Sequence, residues 1–454
     1  MKDKLINIVL IIIAIFAPII YVPKNEFIGT YMLKNVFLLT CGFLLLLLIL
    51  ANYKKLKFDL KDFLLLAFII LIIISGFLST NFHNFIFGEY TRYEGFLMFL
   101  TYACIYLASK KFFKYENMAR FLNIMFYVSM AIGLFGLFQT YHDVPTFIFN
   151  RIAISTFGNP DFFGSFISIV LPISMSIYVL YNQKKALVLS SLMFFNMLSC
   201  GTRSSWLAFG IVIILSLIFL LSQKKKAFWL RTSILVICFI LIFIFIYNNL
   251  GNGILGAIFN LDFSNLFNPS FEHSNMYKKF IAISDDISLL SSDGLSGGMG
   301  SGRITIWILV LNVIEKYPLL GCGPDNLALG LAQSCPYDFI EYTNIHHGLL
   351  DKAHNEYLHI AATIGIPALI IYLVFLALIT IPKLKNISKD NKAMIFSVAI
   401  LSYLIQAFFN ISTIGVAPLF WMLLGLIDNT NINKNNLLCE RGNVNNEQNE
   451  KKNI

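Results

Sequence analysis

Residues 36–57 read VFLLTCGFLLLLLILANYKKLK, and this stretch decides the fold. Its apolar part belongs to a run over about 31–51, long enough to cross a bilayer as a helix at 1.5 Å per residue. Its basic end, Lys54, Lys55 and Lys57, marks the side on which the chain emerges. The pattern recurs along all 454 residues. Apolar runs fall at about 5–22, 31–51, 63–79, 94–108, 119–138, 162–181, 186–200, 204–221, 228–247, 357–381, 393–411 and 414–428. The runs 94–108 and 186–200 are short, and Pro172 is expected to kink or loosen the sixth.

Composition supports the same reading. Hydrophobic residues make up 57% and charged residues 13%, far below the charge of a soluble domain. Surface this apolar needs lipid as its solvent, and a lipid-exposed backbone must satisfy its own hydrogen bonds, which selects helices. No alternation of the kind found in membrane barrels is present. The predicted fold is all-α: a polytopic transmembrane bundle of about twelve spans, with a large extracytoplasmic loop at about 248–356 containing short helices. Four parts follow: about six N-terminal spans within 1–185, a core at 186–381, C-terminal spans at 382–428, and a disordered tail at 429–454, rich in Asn, Glu and Lys.

Charge placement orients the chain. Lys2 and Lys4, Lys54 to Lys61, Lys110 to Arg120, Lys184 and Lys185, Lys224 to Arg231, Lys383 to Lys392 and the tail all fall on alternate connections. By the positive-inside rule these are cytoplasmic, with both termini. The net charge of +9 is thereby accounted for by orientation in a cell (inner, cytoplasmic) membrane and does not point to nucleic acid. The N-terminal pattern resembles a signal peptide, but no small-x-small cleavage site follows Val22, so it is expected to remain as the first span.

All seven histidines then lie on the outer face or at the outer end of a span, as does the only long polar connection. A connection of this length is usually functional. Residues 284–302, rich in Ser, Gly and Asp, are expected to be flexible. Arg303, Trp307, Leu311 and Ile314 follow at the spacing of one helical face. Two readings fit Arg303: a headgroup contact of an interfacial helix, or a grip on an anionic substrate. Asp351-Lys-Ala-His354-Asn355-Glu356 leads into the tenth run. A histidine there fits a general base near neutral pH, and equally a packing residue at the interface. A metal site from His346, His347 and His354 is a third reading, weakened by the lack of a His-Glu-x-x-His pattern. Arg203 lies between two apolar runs, where a guanidinium is costly unless paired, snorkelling or functional. Arg92 and Arg151 stand in polar breaks; each alone fits a loop salt bridge, Glu89, Glu94 and Asp161 being the partners at hand. Together these arginines suit phosphate, because guanidinium donors fork onto paired oxygens. Cys41, Cys104, Cys200 and Cys238 read as packing residues. Cys322 and Cys335 share the outer loop, where a disulfide is open to them.

Several of these motifs together resemble the O-antigen ligase and polysaccharide polymerase family of membrane glycosyltransferases. They are Thr202-Arg-Ser-Ser-Trp-Leu207, Arg303-x-x-x-Trp307, Pro318-Leu-Leu-Gly-Cys-Gly-Pro-Asp-Asn326, His354-Asn355 and Gly365-Ile-Pro367, with Gly88-x-x-x-Arg92-x-x-Gly95 and Gly158-Asn159-Pro160 upstream. Asp161 departs from the pattern, since many relatives carry Asn after Gly-Asn-Pro. The resemblance implies transfer of a glycan from undecaprenyl diphosphate to an acceptor hydroxyl at the outer leaflet, with no metal or other cofactor. It implies His354 as general base and Arg203 and Arg303 as ligands of the diphosphate; Arg92 and Arg151 join them as diphosphate-binding candidates. Asn355 and Trp307 are supporting candidates, and Asp351 or Glu356 is a candidate to orient His354. The acceptor is a lipid, a glycan or a protein hydroxyl, so a ligase, a repeat-unit polymerase and a protein O-glycosylation ligase all fit. A transporter of lipid-linked glycans without chemistry, and a sensor or assembly scaffold, are the rivals from other classes. The first would call for ionisable residues deep in spans and an inverted repeat.

Overall fold

The computed structural model describes residues 2–22, 26–141, 152–223, 225–250, 302–346, 349–385 and 391–429. These form seventeen α-helices, joined by turns and three short 3-10 segments, with no strand among the described residues. In chain order they are α1 (Lys2–Ile19), α2 (Glu26–Leu50), α3 (Leu60–Phe77), α4 (Phe82–Phe87), α5 (Phe96–Phe112), α6 (Met118–Tyr141), α7 (Pro160–Tyr181), α8 (Lys184–Cys200), α9 (Arg203–Gln223), α10 (Lys226–Leu250), α11 (Arg303–Lys316), α12 (Leu327–Ser334), α13 (Pro336–His346), α14 (Glu356–Thr363), α15 (Ile366–Lys385), α16 (Asn391–Ala407) and α17 (Ala417–Asp428).

Seven helices, α2, α3, α6, α7, α9, α10 and α15, are long and apolar enough to cross a membrane. Every predicted run falls on helix, but the others are shorter or more charged; α5 and α8 each have 17 residues. α7 is the hub. It is the most buried of the seven, packs on α8, α9 and α16, and runs unbroken through Pro172. Around it α5 packs on α2 and α17, and α15 on α3.

The predicted tenth run, 357–381, is not one helix. It breaks between α14 and α15 at Gly365, which takes a φ of +106°. A Cβ there would lie 2.1 Å from the Leu319 carbonyl oxygen. Backbone bonds join the two segments that meet at this break. Cys322 and Gly323 donate to the carbonyls of Ala362 and Thr363, each at 2.9 Å, and Ile366 donates to Pro318 at 2.9 Å. The Pro318–Asn326 turn and the Gly365-Ile-Pro367 motif are thus two halves of one clasp, and glycine permits the close approach.

Residues 302–346 of the predicted loop fold as α11–α13. Ile306, Leu309, Val310, Val313, Leu327 and Leu331 form a small core of their own, shared with Ala353 and Ala362. The buried face of α11 is therefore Ile306, Leu309, Val310 and Val313; of the predicted stripe, Trp307 and Ile314 are partly buried against the same core. Leu311 of that stripe is 52% exposed. The flexible stretch expected at 284–302 lies, up to residue 301, outside the described residues, as does the tail beyond Asn429.

At the lysine-rich end, charges pair rather than simply face water. Lys110 is buried against Asp62 and Asp428, at 2.8 Å each, and reaches Asp59 at 2.7 Å. Tyr106 donates to Asp428 at 2.9 Å. This network fastens the end of α17 to α3 and α5.

Candidate functional site

The opposite end of the bundle gathers the starts of four helices. Asn159 caps α7 by accepting from the Asp161 N–H at 2.8 Å. The Thr202 hydroxyl donates to the Pro160 carbonyl at 2.9 Å, tying the start of α9 to that of α7. Arg203 and Arg303 are the first residues of α9 and α11. Asn355 caps α14, its Oδ1 accepting from Tyr357 and Leu358 at 3.0 Å each. Helix starts carry the positive end of the helix dipole, and α11 has no side-chain cap on its first N–H groups, so this end suits an anion.

The side chains add to that field. Arg303 Nη2 lies 3.5 Å from Asp161 Oδ2. Burial pulls the Arg303 pKa below its ordinary value; Asp161 opposes the shift and nearby Arg203 adds to it. His354 stands among Arg303, Asp161, Arg92 and Asp351. Burial first, then the Arg303 charge, lower its pKa below the ordinary imidazole value, so the neutral form is favoured at pH 7. Its φ of +48° lies in the left-handed region, a strained setting for a non-glycine residue and one that clusters at functional sites.

Two ion-pair systems hold the His354 segment. Arg92 donates to Asp351 through Nε at 2.6 Å and Nη2 at 3.1 Å. Asp351 is a partner that the neighbouring sequence does not offer, although the Arg92 charge also acts on Glu89. Burial would raise the Asp351 pKa, but the guanidinium outweighs it and holds the carboxyl below its usual range. Next along the chain, Lys352 is 2% exposed and pairs with Asp325 at 2.7 Å and Glu94 at 3.2 Å. Burial opposes its charge, yet the two carboxylates raise its pKa. Asp325 also accepts the backbone N–H groups of Glu89, at 2.7 Å, and Glu94, at 3.3 Å. The Gly88–Gly95 loop, the Pro318–Asn326 turn and residues 351–355 form one charged knot behind His354.

The structure thus brings Arg203, Arg303, Arg92, Asp351, His354 and Asn355 together. Arg151 lies outside the described residues, as do His142, His273 and His347. Glu356 turns inward, accepting from the Tyr372 hydroxyl at 2.8 Å and the Tyr403 hydroxyl at 3.4 Å. Burial, with Glu94 nearby, pushes its carboxyl up to about 7 against the Tyr372 hydrogen bond. Among the described residues no hydrogen bond joins Asp351 or Glu356 to His354. Trp307 packs on Phe408 and Phe409, with ring centroids 5.7 and 6.0 Å away. Cys322 and Cys335 are both free thiols. No group of three metal-ligating side chains occurs among the described residues.

The sequence offered Asp161 and Glu94 as salt-bridge partners of the loop arginines, whereas Asp161 pairs with Arg303 and Glu94 with Lys352; Lys352 and Asp325 carried no assigned role. Asp161 was visible as a departure from the motif; Glu94 and Asp325 sit inside quoted motifs, but their pairing with Lys352 spans more than 200 residues on one side.

Seven helices long and apolar enough to cross a membrane define the class, a multi-pass membrane protein, and arginines and a histidine gather at one end of its bundle. Residues 186–373 match the family model described as O-antigen ligase. No curated protein matches the chain.

Proposed function

We propose that this protein transfers a glycan from undecaprenyl diphosphate to an acceptor hydroxyl, on a lipid, a glycan or a protein, at the outer face of the cell membrane. The observation that carries the reading is His354 placed beside Arg303, with Arg203 near, where four helices begin. The acceptor oxygen attacks the anomeric carbon, and the bond from that carbon to the diphosphate oxygen breaks. His354, neutral at pH 7, takes the hydroxyl proton. The departing diphosphate gathers negative charge, and Arg203, Arg303 and the helix starts lower the barrier by meeting it with fixed positive charge. Arg92, through Asp351, holds the segment that bears His354 and adds its charge to the field. Asn355 sets the angle at which the chain turns into α14.

The test is reconstitution in liposomes with a lipid-linked glycan and candidate acceptors. The wild-type protein should release undecaprenyl diphosphate and glycosylate an acceptor; His354→Ala should fold, bind donor and release none. Release by the variant at the wild-type rate would remove the mechanism. A reporter fusion placing 250–350 in the cytoplasm would remove the outer-face assignment.

A further inference from the structure

Away from the site, α6, α7, α8 and α17 enclose a cavity of about 420 Å³, within the range of about 300–1,000 Å³ typical of ligand pockets. Its walls are apolar, among them Leu122, Phe126, Val170, Ile177, Leu189 and Leu423. Its polar lining is Ser129 and Ser174 on α6 and α7, and Asn123, Gln183 and Lys185, which meet where α8 begins. Lys185 bonds the Asn123 side chain, and its ammonium lies 5.2 Å from the Phe126 ring centroid. Among the described residues no carboxylate pairs with it. Gln183 gives α8 no side-chain cap, so no side chain covers the start of this helix, its positive end. Exposed Lys184 and Arg120, each next in sequence to lining residues, add further positive charge. Glu116 is the one acidic residue within 114–129 and 182–189.

This lip is not the site described above. Lys185 stands at the start of α8, whereas Arg203 follows its end, and the 17-residue helix separates them by about 25 Å along its axis. Apolar walls with a cationic lip at one bundle end, in a protein surrounded by lipid, match an amphiphile with a negatively charged head. We propose that the groove binds an anionic glycerophospholipid of the surrounding membrane, its phosphate on Lys185 and the start of α8, and an acyl chain along Phe126, Ile177 and Leu423.

The test is native mass spectrometry of the full-length protein, extracted in mild detergent and offered phosphatidylglycerol and phosphatidylcholine at equal concentration. The wild type should retain phosphatidylglycerol by about fivefold over phosphatidylcholine, the scale of one lysine near an anionic surface. Lys185→Gln should lose that preference while still retaining lipid. Leu122→Trp, which fills the groove and leaves the charges, should retain neither lipid. Equal retention of both lipids by the wild type would overturn the proposal, and so would a Leu122→Trp variant that binds phosphatidylglycerol as the wild type does. Displacement of the phospholipid by equimolar undecaprenyl phosphate would also overturn it, by assigning the groove to a prenyl carrier. If either variant fails to fold, the lipid comparison on the wild type and the carrier competition still decide.

Discussion

Arg92 and Asp351 lie 259 residues apart in sequence and meet through two hydrogen bonds of 2.6 and 3.1 Å. The first belongs to the turn between α4 and α5, the second to the segment that delivers His354. The fork of the guanidinium onto both carboxylate oxygens fixes orientation as well as distance. Geometry at the candidate base thus depends on a loop more than two hundred residues upstream.

Breaking that pair should therefore cost stability and coupling together. Arg92→Met leaves a mostly buried carboxylate without its cation, a loss of about 3 kcal/mol. Asp351→Asn should cost less, because the amide still accepts one bond. In a double-mutant cycle followed by thermal unfolding in detergent, the pair should show an interaction energy of at least about 1 kcal/mol. Simple additivity would mean that the two groups do not hold each other.

The pH profile reports on His354. Burial and the Arg303 charge lower its pKa, and a general base works in its neutral form. Activity should therefore hold as pH falls past the ordinary histidine value of about 6.5 and drop only below it. An acid limb of kcat/KM above 6.5 would mean that another group, or a histidine in a different setting, accepts the proton.

Glu356 separates a buried acid from a catalytic one. Its carboxyl is pushed up to about 7, above the unfolded value, so the folded state binds the proton more tightly. Stability should fall as pH rises from about 4.5 to about 7 and level off above that. Glu356→Gln keeps an acceptor for Tyr372 and should fold, retain transfer and flatten this dependence. Glu356→Ala leaves two buried tyrosine hydroxyls without their acceptor and should cost about 1–3 kcal/mol. Loss of transfer in a well-folded Glu356→Gln would instead give the carboxylate a direct part in the reaction.

Much of this was legible in the chain because bilayer thickness imposes a length on apolar runs, and each predicted run falls mainly on helix, the tenth on two. The residues at the site end were legible where motifs carried them: Arg203 and Arg303 open helices, and His354 precedes a cap. Periodicity failed on α11, whose sequence is apolar on several faces, so that the spacing of Arg303, Trp307, Leu311 and Ile314 did not single out the buried one. It failed again at Gly365, where Pro367 two residues on is a helix-stop signal that the continuous apolar run outweighed; the Leu319 carbonyl pressing on the glycine shows why none but glycine fits there. Lys352 was invisible for a third reason. Its counter-charges come from two other parts of the chain, and a charge between helices reads as solvated until its partners are known.

Asp161 offers the sharpest test of the site. It lies 3.5 Å from Arg303 and partly offsets its charge, and it works against the lowering of the His354 pKa. A diphosphate approaching Arg303 must compete with that carboxylate. Asp161→Asn keeps the side-chain shape and leaves the Asn159 cap of α7 intact. It should lower the KM for the lipid-linked donor several-fold, with kcat little changed, because an interaction of the unliganded protein has been removed. It should also move the acid limb of the pH profile further down, since one of the charges holding the imidazolium is gone. A raised KM, or a kcat that falls a hundredfold with the fold intact, would place Asp161 in contact with the reacting groups and assign to it part of the role proposed for His354.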